Sequence, residues 1–333
     1  MSKINVLSID GGGIRGIIPA KILADFEEMI REISGDNSKT IADCFDLIAG
    51  TSTGGIIASG LLIPDNGKPK YSPKDLLELY LKRGEEIFNI SFWQKIKTAG
   101  GTVDEKYDNE ALKEALEDYF GKTKLSELLK PSLITAYDIR NRKGKFFNKM
   151  DAIENDKDDF YIKDVAYSTA AAPTYFECSR IKSMSKIPYV LIDGGVFANN
   201  PALCAYSEVR AKFKNKPTAK DINIVSVGTG TSEVPYYYKE AKDWGLIEWA
   251  KPLLSIMMSG VSETIDYQLR QIYDSIDKPA QYLRINGPLK YAEKDMDNSS
   301  IENLENLEKD GAAIYSKFRQ EMRSMVVNIF NYQ

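Results

Sequence analysis

The sequence predicts an α/β sandwich with a largely parallel sheet, and three observations carry that reading. Short β-branched runs such as Ile4-Asn5-Val6-Leu7-Ser8-Ile9 and Ile222 to Val227 run into glycines, as buried strands do. Segments with apolar residues at helical spacing lie between those runs, so strands alternate with helices along the chain. No repeat and no low-complexity linker interrupts the pattern, and strong strands stand on both sides of every candidate boundary. Residues 1–333 therefore read as one domain, with a largely helical, less typical part from about residue 231.

The elements follow in order. Ile17 to Ile33 predicts a helix, with Ile18, Ile22, Phe26, Met29 and Ile33 on one face. Phe45 to Ala49 predicts a second strand, and Thr53 to Leu62, small and apolar, a buried helix. Ser72-Pro73 is a helix start with serine as cap and proline first, and that helix runs to about Phe88. Asp108 to Tyr119 predicts a helix stopped near Gly121. Leu133 to Ile139 and Lys145 to Phe147 predict strands, and Val165 to Ala172 a small-residue helix ended before Pro173. Tyr189 to Ile192 predicts a strand leading into Asp193-Gly194-Gly195, and Asn200-Pro201 opens another helix. A long helical region follows from Trp244, and Ile301 to Ile329 is a charged, amphipathic helical end.

Composition excludes several classes of function. The chain is 43% hydrophobic and 28% charged, an ordinary globular balance. A net charge of -4 without a long Lys/Arg block argues against a nucleic acid polymer as partner. Cys44, Cys178 and Cys204 are odd in number and form neither a disulfide framework nor a metal-ligand spacing. Histidine is absent altogether, so a zinc site would need mostly carboxylates and scattered thiols, and no metal is expected. No cofactor is expected either. No secretory leader opens the sequence and no run approaches the roughly 20 apolar residues of a membrane span. The expectation is a cytoplasmic protein, peripheral at membranes when active.

Gly11-Gly12-Gly13-Ile14-Arg15-Gly16 follows the first strand and opens a helix. It satisfies G-x-G-x-x-G, so a nucleotide-binding module is one reading. That fingerprint expects an acidic residue closing the second strand; here the second strand runs into Gly50-Thr51-Ser52, and Asp36 lies in a turn. A second reading is an anion site, because clustered glycines let N–H groups converge at a helix start, where a developing oxyanion gains stabilisation. A plain tight turn is the third.

Gly50-Thr51-Ser52-Thr53-Gly54 is a G-x-S-x-G between an apolar strand and a small-residue helix, the context of a nucleophile elbow. An ordinary turn with Ser52 as helix cap fits the same residues. A nucleophilic serine needs a base, and this chain has no histidine to supply it. A carboxylate can serve directly. Asp193 is the best-placed candidate: in a parallel sheet its strand end would share one edge with Ser52. The alternative for Asp193 is an Asx-turn, and Asp10, which precedes the glycines, is the rival base.

DGGGIRG (10–16), GTSTGG (50–55) and DGGVFANNP (193–201) together resemble the patatin-like phospholipases in order and spacing. STAAAPTYF (168–176) and IVSVGTG (224–230) extend the resemblance over roughly residues 4 to 230. It implies a three-layer α/β/α fold and a lipid acyl hydrolase with a Ser–Asp dyad. On matching positions it implies Ser52 as nucleophile and Asp193 as base, with Gly50 and Gly54 shaping the elbow. Gly11, Gly12, Gly13 and Arg15 then belong to the oxyanion hole, and membrane phospholipid is the substrate. Some bacterial relatives are anti-phage effectors switched on by cyclic nucleotides, so a cyclic-nucleotide activator bound to the C-terminal third is a variant of that reading. A storage or scaffold protein with a vestigial site is a further class, which intact Ser52 and Asp193 oppose.

Two further stretches carry expectations. Trp93, Trp244 and Trp249 lie among lysines in NISFWQKIK and EVPYYYKEAKDWGLIEWAKPLLSIMM. Packing in the core or in a cap over the site is the first expectation for them, and an interfacial segment the second. The acidic DAIENDKDDF (151–160) lacks EF-hand spacing and reads as a solvated loop.

Overall fold

The computed structural model describes residues 3–88, 109–232 and 234–331. Strand β1 (Ile4–Ile9) leads through the glycine loop into α1 (Ile17–Ser34), which ends where Gly35 takes a left-handed φ of 68°. After a short α2 (Ile41–Cys44), β2 (Leu47–Thr51) begins two residues later than expected, because Phe45 closes that turn and is buried there. Helix α3 (Thr53–Gly60) is wholly buried. A small hairpin, β3 (Pro64–Asp65) with β4 (Lys68–Pro69), turns at Asn66-Gly67, both at positive φ. Helix α4 (Pro73–Phe88) starts at the predicted proline, and Ser72 and Asp75 cap each other reciprocally.

Helix α5 (Asn109–Phe120) is followed by β5 (Ser132–Asp138) and β6 (Lys143–Asn148). The first four residues of the acidic stretch expected as a loop are instead helical: α6 (Lys149–Glu154) forms because Asn148 caps it. Asp159, at the other end of that stretch, is buried and accepts from the Ser126 amide and hydroxyl. Helix α7 (Ile162–Ala170) is followed by the hairpin of β7 (Ser179–Lys182) and β8 (Pro188–Asp193). One turn, α8 (Gly195–Ala198), then leads to α9 (Ala202–Lys212), whose first amide donates to the Asn200 side chain. The last third contains β9 (Ile222–Val227), α10 (Tyr238–Ala241), α11 (Leu246–Asp274), β10 (Tyr282–Ile285) and α12 (Ile301–Asn331).

The sheet runs β10-β9-β1-β2-β5-β8-β7, with β6 also on β5. Pairing is parallel from β10 to β5 and antiparallel beyond it. Because β10 pairs with β9, the C-terminal part is not only helical: it completes the sheet.

Both faces of the sheet are covered, and the period of two sorts its side chains between them. Leu7, Ile9, Ile48, Ile134, Val225 and Val227 enter one core with α1, α3, α4 and α12. Val6, Leu47, Ala49, Leu133, Ile222 and Ile224 enter the other with α9 and the C-terminal half of α11. The result is a three-layer α/β/α arrangement with a mainly parallel sheet.

One detail of the pairing decides where the site falls. Strand β6 occupies one edge of β5 over Leu133 to Asp138. The other edge is shared: β2 pairs with Ser132 to Thr135, and β8 with Ala136 to Asp138. Strands β2 and β8 run in opposite directions, so their C-terminal ends meet head to head on one strand. Thr51 lies opposite Thr135 and Asp193 opposite Ala136. The shared parallel edge expected for Ser52 and Asp193 is thus corrected, since β8 is antiparallel.

Candidate active site

Ser52 stands between β2 and α3 at φ 55°, ψ -126°. A side chain is strained there by about 1–3 kcal/mol, and the surroundings hold it in place. Its N–H donates to Thr169 Oγ1 (2.8 Å), which donates to the Thr135 carbonyl (2.6 Å). Its carbonyl accepts the Gly55 and Ile56 amides. Gly50 and Gly54 are required by closeness: a Cβ on Gly50 would strike the Gly54 carbonyl, and one on Gly54 the Ile9 carbonyl.

Ser52 Oγ donates to Asp193 Oδ2 at 2.5 Å, and the Gly195 amide donates to Oδ1 at 2.6 Å. Asp193 is buried with no cationic partner among the described residues. Burial pushes its carboxyl up to about 7, against the pull of the Ser52 and Gly195 hydrogen bonds. A carboxylate held near neutrality suits a base that must both take and return a proton at ordinary pH.

The glycine loop lies against this pair, since a Cβ on Gly11 would meet the Ser52 Cβ. Gly11 is fully engaged: its N–H donates to the Asn199 carbonyl, and its carbonyl accepts Thr229 Oγ1 at 2.9 Å. The Ile14 amide donates to the Met296 carbonyl. Between them the Gly12 and Gly13 amides have no acceptor among the described residues. Gly13, at φ 60°, needs glycine for that turn.

Arg15 faces a cavity with no ion pair among the described residues, and its buried Nε has no hydrogen-bond partner there. Burial pulls its guanidinium down to about 10, with Tyr175 and Asp295 opposing. Asp10, the rival base, is taken by Arg284: Nη1 meets Oδ1 at 2.8 Å and Nη2 meets Oδ2 at 2.5 Å. Asp36 follows Gly35 on an exposed turn at the far end of α1, roughly 27 Å of helix from the loop. It is out of reach of a ribose bound at the glycines, as a dinucleotide site would require.

Sequence reasoning missed Arg284, Asn199 and Thr229. Arg284 had a signal, a charged residue inside the strand-like Tyr282 to Ile285. Asn199 and Thr229 lay inside the quoted motifs, but only the folded chain brings both onto Gly11.

Two adjoining cavities open on the site. The first is apolar; Ser52 and Asp193 line it with Ile56, Leu112, Phe176 and Leu254. The second is larger and more polar, with Arg15, Asn199, Thr229 and Lys294 among its lining residues. Tyr175, Met258 and Met296 belong to both. Trp93 lies outside the described residues. Trp244 and Trp249 do not pack in the core: they stack edge to face on the surface, 5.0 Å between centroids, with Tyr236 on Trp244. No described helix is long and apolar enough to cross a membrane, and no described cluster of acidic or cysteine side chains is placed to hold a metal ion.

A serine at a strained strand–helix turn on a mainly parallel sheet has the local geometry of a nucleophile elbow. The patatin-like phospholipase family matches residues 7–206. Patatin-like protein 3 of Arabidopsis thaliana is 33% identical over 94% of this chain and 81% of its own. Patatin-like protein 4 of the same plant is 34% identical over 92% and 82%. Probable inactive patatin-3-Kuras 1 of Solanum tuberosum is 32% identical over 90% and 83%. This chain belongs to the patatin-like phospholipase family, which places it among lipid acyl hydrolases in general.

Proposed function

We propose that this protein is a serine hydrolase that cleaves acyl esters of membrane glycerophospholipids. The observation that carries the reading is the 2.5 Å hydrogen bond from Ser52 Oγ to Asp193, at the floor of an apolar pocket. In this reading Asp193 takes the Ser52 proton as Oγ attacks the ester carbonyl. The open Gly12 and Gly13 amides receive the oxyanion, while Gly11, spent on Asn199 and Thr229, keeps the loop in place. Asp193 then protonates the departing lysolipid oxygen. Water, deprotonated by the same carboxylate, cleaves the acyl-enzyme and restores Ser52.

The two cavities divide the substrate. The apolar one suits an acyl chain, and the larger, more polar one brings Arg15, without an ion pair among the described residues, to the phosphate. The direct test is release of free fatty acid from mixed glycerophospholipids, measured by mass spectrometry. A pure, folded protein that releases none, with or without detergent, overturns the proposal.

Gly12 tests the oxyanion assignment. A Cβ there would collide with the Thr229 side chain, displacing the loop. Gly12→Ala should lower kcat by about 100- to 1,000-fold while KM changes little, because an oxyanion hole acts in the transition state. Steady-state kinetics on a soluble ester reads the split; a rise in KM with kcat intact would move the oxyanion elsewhere.

A further inference from the structure

Helix α11 has two apolar faces, and only one is buried. Leu254 and Met258 point inward and line the apolar pocket with Ser52. Leu246, Trp249, Leu253, Ile256 and Met257 lie on another face, at helical spacing, and all are exposed. Leu246 is 93% exposed. The segment before the helix adds Val234, Tyr236, Tyr237 and Tyr238, the last 81% exposed. The Tyr236–Trp244–Trp249 stack joins the two groups into one surface. Scattered exposed leucines are normal; a continuous stripe of this kind on a water-facing helix marks an interaction surface.

The stripe is continuous with the entrance to the site. Val234, Tyr236 and Ile256 reach the polar cavity, and Leu254, one residue and about 100° round the helix from Leu253, reaches the pocket. Whatever seats on this face lies against the mouth of both cavities. A second copy would cover that mouth, whereas a bilayer would present acyl esters to it. Tyrosine and tryptophan at the rim suit the headgroup level of a membrane.

We propose that this face, residues 234–238 with the outer stripe of α11, is the surface by which the protein seats on a lipid bilayer, inserting side chains beside the pocket entrance. The inference rests on the acyl-hydrolase reading for its choice of a lipid partner. Charge contributes little to the docking. Lys239 and Lys242 stand among Glu240, Asp243 and Glu248, and the whole chain carries -4. The attachment is therefore that of an amphipathic interfacial helix, driven by apolar area.

The test is flotation of the full chain with phosphatidylcholine vesicles, at about 0.1 M and about 1 M NaCl. Wild type should float at both. The variant Leu246→Gln/Leu253→Gln/Met257→Gln should bind at least about 100-fold more weakly, because three large apolar groups no longer leave water. Its circular dichroism and its turnover of a soluble short-chain ester should match wild type, and its hydrolysis of vesicle phospholipid should fall with binding. Tyr237→Ser/Tyr238→Ser should weaken flotation by a smaller factor. Failure of wild type to float, loss of its binding at high salt, or equal flotation of the triple variant would each overturn the proposal. So would a wild-type dimer that the triple variant dissolves, which would assign the face to a second copy. Flotation that follows the stripe in a protein without esterase activity would leave the docking face standing and remove the hydrolase reading instead.

Discussion

Ser52→Ala should lower ester hydrolysis by about 10,000-fold or more, because the nucleophile is lost and binding with the oxyanion amides alone remains. A fluorophosphonate probe should label wild type at Ser52 and leave the mutant unlabelled. Labelling at a different serine, or substantial turnover by the folded mutant, would remove Ser52 from the mechanism. The backbone supplies an independent check. At φ 55° a Cβ is strained, and glycine relieves that strain without restoring the hydroxyl. Ser52→Gly should therefore be as inactive as Ser52→Ala yet more stable by about 1 kcal/mol in denaturant unfolding. If alanine is the more stable, the turn is not the strained elbow described.

How much of this was legible in the sequence depends on the range of the interaction. Local chemistry was readable. The Ser72-Pro73 start, the glycine stop at Gly121 and the strands at Ile4–Ile9 and Ile222–Val227 all stand where short-range rules put them. The proximity of Ser52 to Asp193 was expected from a parallel sheet, but it arises from two opposed strands meeting on β5. The direction of β8 is set by its antiparallel pairing with β5, and its hairpin partner, the run Ser179 to Lys182, carries too few apolar residues to announce itself. The same limit hid Arg284. Its partner Asp10 is 274 residues away, and only the pairing of β10 with β9 brings them together. The surface position of Trp244 and Trp249 was illegible for a different reason. Apolar residues at helical spacing usually mark a core face, and nothing local says that a second face of α11 already fills that role.

Asp193→Asn should damage catalysis almost as severely as Ser52→Ala, since an amide fills the same space but takes no proton. The two residues act as one unit, so the double mutant should be little worse than either single one. The pH dependence identifies the group. Wild-type kcat/KM should fall as pH drops through about 7, because Asp193 must be ionised to act and burial holds its carboxyl there. With no histidine in the chain, imidazole cannot be the source of that limb. Stability should move the opposite way. A carboxyl raised from 3.8 to about 7 binds its proton more firmly in the native than in the unfolded chain. Its contribution is present below about pH 4 and is lost as pH rises through 7. Asp193→Asn removes that penalty, so it should melt a few degrees above wild type at pH 8, on the order of 1 kcal/mol or more, and show no gain at pH 4. Calorimetry at the two pH values, beside kinetics on a soluble ester, reads both effects. A mutant that keeps most of its turnover, or a wild-type acid limb near 4, would take the base away from Asp193.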